Sequence, residues 1–140
     1  MKLQQQTTKI FVDTLKEMGC PYEIGCNHVI TFLFRNNLFI AIPYAESPEV
    51  IVVDRDREAI DLEDLDKVLK TRKAINEVNQ QTTVTTFYTI DEEEKVMRVF
   101  GKYLFYFSSC IANKKSYLRD IFDGLIDAHL SLTVELEFQG

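Results

Sequence analysis

The side chains able to do chemistry in this chain are few and poorly spaced for it. Cys20, Cys26, His28 and Cys110 are the soft ligands a metal site could use. Three thiolates and an imidazole can hold zinc, but five residues separate Cys20 from Cys26, where zinc-binding pairs have two to four. Incidental thiols are the better reading. Ser108-Ser109-Cys110 follows an apolar run but lacks the Gly-x-Ser-x-Gly turn that exposes a nucleophile. A base would have to be His28, His129 or a carboxylate, and His129 lies on an apolar helical face, where core histidines are common. The acidic runs Asp91-Glu92-Glu93-Glu94 and Asp61, Glu63, Asp64, Asp66 lack the ligand spacing and the glycine of a calcium loop. With five glycines and no Gly-rich loop after a strand, there is no phosphate cradle. These residues predict no enzyme, no metal and no cofactor.

The chain has 140 residues, 46% of them hydrophobic and 27% charged, which suits one globular domain. We assign that domain to residues 1–132 and set 133–140 apart as a tail, native or not. A net charge of −6 without a basic stripe argues against nucleic acid and against anionic membrane surfaces. The cluster Lys67, Lys70, Arg72 and Lys73 reads as a solvated helix face. The first residues lack the apolar region of a signal peptide, and no run reaches the roughly 18 apolar residues of a membrane span. Three cysteines, an odd set, fit a reducing compartment, so the expected location is the cytoplasm.

The elements follow from periodicity. Leu3, Thr7, Ile10, Phe11, Thr14, Leu15 and Met18 recur at helical spacing, with Gly19 as the C-terminal cap and Pro21 preventing resumption. Val29 to Phe34 and Leu38 to Ile42 read as a hairpin about Asn36-Asn37, and Val50 to Val53 as a third strand. Tyr22 to Ile24 is either a short extra strand or a lead-in. Asp54 to Glu58 reads as a charged connector, and Asp61 as the cap of a second helix extending to Gln80. Asn79 is expected to serve as a terminal cap or turn former there. Thr83 to Ile90 and Lys95 to Ser108 form a hairpin around the acidic turn, and Lys114 to Leu132 a third helix capped by Asn113. Gly124, inside that helix, costs about 1 kcal/mol against alanine unless close packing requires it.

Alternate residues of a strand face opposite ways, and in the longest strand both sets are bulky. Met97, Val99, Gly101, Tyr103, Phe105 and Phe107 form a core face. Val96, Arg98, Phe100, Lys102, Leu104 and Tyr106 form an amphipathic one. A free antiparallel sheet usually sets an apolar face against a polar one, so this sheet needs two covers. Helices divided over both faces would supply them; so would helices on one face and a second subunit or client on the other.

The order helix, three strands, helix, two strands, helix resembles the YbjN domain family, whose fold is like that of the type III secretion chaperones. The resemblance covers about residues 5 to 132. It is clearest in Ala74-Ile75-Asn76-Glu77-Val78-Asn79, in the hairpin Val84 to Ile90 with Met97 to Phe107, and in Ile121, Phe122, Leu125 and Ile126. It implies an α+β domain in the order α-β-β-β-α-β-β-α, with an antiparallel five-stranded sheet and three helices. It also implies a non-enzymatic, chaperone-like or regulatory bacterial protein that works through protein partners, often as a homodimer. We expect Phe100, Leu104 and Tyr106 to form the partner-binding centre, with Arg98 and Lys102 as its polar rim. The alternative is a small-ligand domain with a pocket between sheet and helices, using Tyr88, Tyr103 or Tyr106 as polar handles.

Overall fold

A computed structural model describes residues 2–55 and 59–139. Among these residues there are three α-helices, one short 3-10 turn (Cys26–His28) and seven strands. These are α1 (Leu3–Glu17), β1 (Tyr22–Ile24), β2 (Ile30–Phe34), β3 (Asn37–Pro43), β4 (Glu49–Asp54), β5 (Ala59–Asp61), α2 (Leu65–Gln81), β6 (Thr85–Asp91), β7 (Val96–Tyr106) and α3 (Lys114–Gln139). All the strands belong to one antiparallel sheet. β1 to β4 form a meander and β4 pairs with one edge of β7, which β5 also joins further along; β6 pairs with the other edge.

The mixed α+β class holds, but the sheet has seven strands rather than five. One addition is β1, which pairs Tyr22 with Phe32. The other is β5, where Ile60 opposes Met97. Three residues carry too little periodicity to mark a strand, and β5 exists because β7 extends beyond the end of β4. Asp61 consequently ends β5, and the cap of α2 is Asp64, whose carboxylate accepts from the Lys67 N–H at 3.1 Å. Residues 56–58 of the expected connector lie outside the described residues.

Local chemistry sets the ends of the other elements. Gly19 has φ +74°; its N–H donates to Lys16 O, and that of Cys20 to Leu15 O, the two bonds of a Schellman cap. The β2–β3 turn is one residue earlier than expected, with Arg35 and Asn36 both at positive φ and Phe34 opposite Asn37. The acidic turn is held by Asp91 Oδ1, which accepts from the N–H groups of Glu93 and Glu94. Asn113 Oδ1 accepts from the Ser116 N–H at the start of α3. That helix continues to Gln139, with Leu136 packed against the core beside Leu132.

All three helices cover the same sheet face. α1 and α3 bury Phe11, Leu15, Leu118, Phe122 and Leu125 against Ile30, Phe32, Phe39, Val50, Val52, Phe105 and Phe107. α2 buries Ala74, Ile75 and Val78 against Ile60, Met97 and Val99. Met97, Val99 and Phe105 alternate along the uninterrupted strand β7, so both clusters lie on one side. Among the described residues, no helix covers the other side.

Gly124 meets no packing demand: a Cβ built there has nothing within 4 Å. Gly124→Ala is therefore expected to raise stability by about 0.5–1 kcal/mol, mostly by restricting the unfolded chain. An unchanged or lower urea midpoint would show that the site is tighter than the geometry indicates.

Candidate functional site: the open face of the sheet

The registers place the uncovered side chains in rows. Leu33 opposes Leu38, Thr31 opposes Ile40, and Ile40 opposes Val53. Ile42 opposes Ile51, which opposes Leu104, and Val53 opposes Lys102. Across β7, Phe100 opposes Phe87 and Arg98 opposes Thr89. Leu33, Ile42, Leu104 and Tyr106 are exposed, and Phe87, Phe100, Ile40, Ile51 and Val53 are partly covered by one another. A continuous surface of this kind is unusual on a monomer, where large contiguous apolar patches mark interaction sites.

The five expected partner-binding residues all stand on this face of β7, but their surroundings differ. Leu104 and Tyr106 are 45% and 49% exposed and project from it. Phe100 stacks on Phe87 with centroids 5.4 Å apart, and the Lys102 ammonium lies 4.9 Å from the centre of the Phe87 ring. Arg98 is tied to the acidic turn by contacts with Glu94 and, at 3.9 Å, Asp91. It thus braces the hairpin as well as lining the face. The Tyr106 carbonyl accepts from the Tyr117 hydroxyl at 2.7 Å, which anchors the end of β7 to α3. Burial, with a smaller contribution from Tyr103, raises the Tyr117 phenol above its ordinary pKa.

Phe87, Ile51, Val53, Leu33 and Ile42 also stand on this face, beyond the five residues expected from the sequence. Each belongs to an alternating set that was legible, but only the strand pairing shows which sets share a face.

Two side chains complete the backbone ladder. Asp54, buried at 6% exposure rather than solvated in a connector, accepts from the Gly101 N–H at 2.8 Å, where β4 ends. Asn79 is not the expected terminal cap: it lies inside α2, whose C-cap is Thr82. Its carboxamide accepts from the Thr86 N–H at 2.7 Å and donates to the Thr86 carbonyl at 2.9 Å, clipping α2 to the outer edge of β6.

The other candidates are dispersed. Cys20 is buried, which pushes its thiol pKa up, while Cys26 and Cys110 are exposed. Among the described residues no group of three His, Cys, Asp or Glu side chains converges on a metal position. A cavity of about 280 Å³ lies between α2, α3 and the sheet, lined by residues including Ile60, Lys67, Val99, His129 and Leu132; none of Tyr88, Tyr103 and Tyr106 lines it. Tyr103 and Gly124 line a separate cavity of about 240 Å³. No described helix is long and apolar enough to cross a membrane.

A three-helix layer on one side of an antiparallel sheet defines a two-layer α+β fold. The fold is similar to that of a chain in the solved structure of the HopA1–SchA chaperone–effector complex, with a TM-score of 0.53 and 9% identity. The likeness covers 89% of this chain and 90% of that one. No protein-family model and no curated protein matches the sequence.

Proposed function

We propose that this chain is a non-enzymatic protein-interaction module, chaperone-like or regulatory, that binds partner proteins on the open face of its sheet. The observation that carries this reading is the one-sided helix layer, which leaves Leu104, Tyr106, Leu33 and Ile42 in water beside the partly covered Ile40, Ile51, Val53 and Phe100. Burying such side chains is worth about 25 cal/mol per Å² of apolar area removed from water. Phe100, Leu104 and Tyr106 form the centre of the β7 part of the surface, with Lys102 and Arg98 as its charged margin. The likeness to a chain of a chaperone–effector complex supports the same reading. We place the chain with YbjN-like bacterial proteins of the cytoplasm and expect it to self-associate as a homodimer.

A photo-reactive residue at position 100, compared with one at Lys115 on exposed α3, tests the proposal in the producing cell. A discrete protein cross-linked from position 100 alone is expected. Adding Leu104→Asp should remove it while the far-UV spectrum and melting temperature change little, because a half-exposed side chain contributes little to the core. Equal labelling from both positions, or none, would refute the assignment; unfolding by Leu104→Asp would assign Leu104 to the core. The ligand-binding alternative draws support from the cavity of about 280 Å³ and predicts a copurifying small molecule in a native mass spectrum.

A further inference from the structure

The cavity of about 240 Å³ lies on the helix side of the sheet, between β7, α3 and the end of α2. Two tyrosines line it, Tyr103 from β7 and Tyr117 from α3. Both flank the ring of Phe105. The Tyr103 centroid lies 6.2 Å from that of Phe105 with the rings nearly parallel, at 19°; the Tyr117 centroid lies 6.0 Å away at 72°. The two tyrosine rings therefore stand at a steep angle to each other, as the walls of a corner. Tyr117 is fixed there by its hydroxyl bond to the Tyr106 carbonyl and by stacking on Phe107. Aromatic faces carry negative potential and attract cations.

The charges about the cavity have the same sign. Among the described residues no lysine, arginine or histidine lines it, and Asp120 does. Asp123 on the same helix pairs with Arg35, whereas Asp120 has no ion pair among the described residues. Thr83 and Val84, just past the end of α2, form another wall. The last turn of α2 carries no basic residue, so the negative end of its dipole is left uncompensated there. Gly124 completes the lining, and a Cβ at that position would meet nothing within 4 Å. Glycine is unfavourable inside a helix, and no packing demand requires it here; it leaves that side of the cavity open.

We propose that this cavity binds a small methylated ammonium compound of the size of choline. An anion would be repelled by Asp120 and by the end of α2. A bare metal ion would find a single carboxylate, too few oxygen ligands to replace its water. A primary ammonium needs several hydrogen-bond acceptors in place of its hydration. A methylated one needs the apolar and aromatic contact that Tyr103, Tyr117, Ile121 and Val84 offer. The volume suffices, since an apolar cavity of about 150 Å³ already admits benzene. A choline that carries a phosphate, as in a lipid headgroup, would set that phosphate beside Asp120 and bind less well. The site stands apart from the open face of the sheet, so it goes beyond the partner-binding reading and does not rest on it.

The test is a titration of the whole protein with choline, followed through its backbone amide resonances. The control is neopentylcarbinol, which has the same shape with carbon in place of the charged nitrogen. Choline is expected to shift the Gly124 and Val84 amides saturably and to bind about ten-fold tighter than the neutral alcohol. Asp120→Asn should weaken choline several-fold and leave the alcohol unaffected, because only the cation feels the carboxylate. Gly124→Ala should weaken choline while the variant unfolds at a higher urea concentration, so that lost binding is not lost folding. Phosphocholine should bind more weakly than choline. No saturable shift with choline, equal affinity for the alcohol, tighter binding of phosphocholine, or choline binding indifferent to both substitutions would overturn the proposal. Such a result would leave the partner cross-linked from position 100 untouched, and loss of that cross-link would leave choline binding untouched.

Discussion

Phe122→Ala is expected to destabilise the protein by about 3–5 kcal/mol, the range for removing a fully buried aromatic ring from a core that cannot collapse around the void. Phe122 is 0% exposed and touches four other rings. Its centroid lies 4.8 Å from that of Phe32, 5.3 Å from Phe34, 5.8 Å from Phe39 and 6.3 Å from Phe11. These neighbours belong to α1, β2 and β3, so a single side chain of α3 joins the helix layer to the first half of the sheet. A domain of this size has about 5–15 kcal/mol of stability in all, so the loss would be a large fraction of it. Urea unfolding should show a much lower midpoint at similar slope. A loss below about 1 kcal/mol would mean that the four rings close the gap, and that the aromatic cluster is looser than its centroid distances indicate.

Asp54→Ala is expected to cost about 2–3 kcal/mol for a different reason. The Gly101 N–H is part of β7 at the point where β4 departs, and Asp54 Oδ1 occupies the place of the next rung. Removing the carboxylate leaves a buried donor without this acceptor, and an unsatisfied buried group forfeits its full desolvation cost. Asp54→Asn should recover most of the loss, because it retains an oxygen in nearly the same place. If Asn and Ala variants unfold at the same denaturant concentration, the bond to Gly101 is not what makes Asp54 matter. Amide hydrogen exchange at Gly101 offers a local check, faster in the alanine variant than in the asparagine one.

The contrast between these residues shows how far the sequence could be read. Phe122 lay on a helical stripe and its burial followed from spacing alone. Asp54 had the same composition as its charged neighbours, and nothing local distinguished a buried ladder acceptor from a solvated connector. The five expected face residues, Arg98 to Tyr106, share one side of β7 because a strand alternates. What they face depends on β4 and β6, brought there by pairings distant in sequence.

By itself, the sequence determined the helical stripes, the alternating sets of the strands, the cap at Gly19 and the shortage of catalytic parts, all properties of residues within a few positions of one another. Only the tertiary structure decided that α1, α2 and α3 pack on one face, that β1 and β5 extend the sheet to seven strands, and that Asn79 closes part of the β6 edge. The reason is physical: periodicity shows that a surface is apolar, but which apolar surfaces meet is settled by long-range packing, where several covers compete and the best-fitting combination excludes the rest.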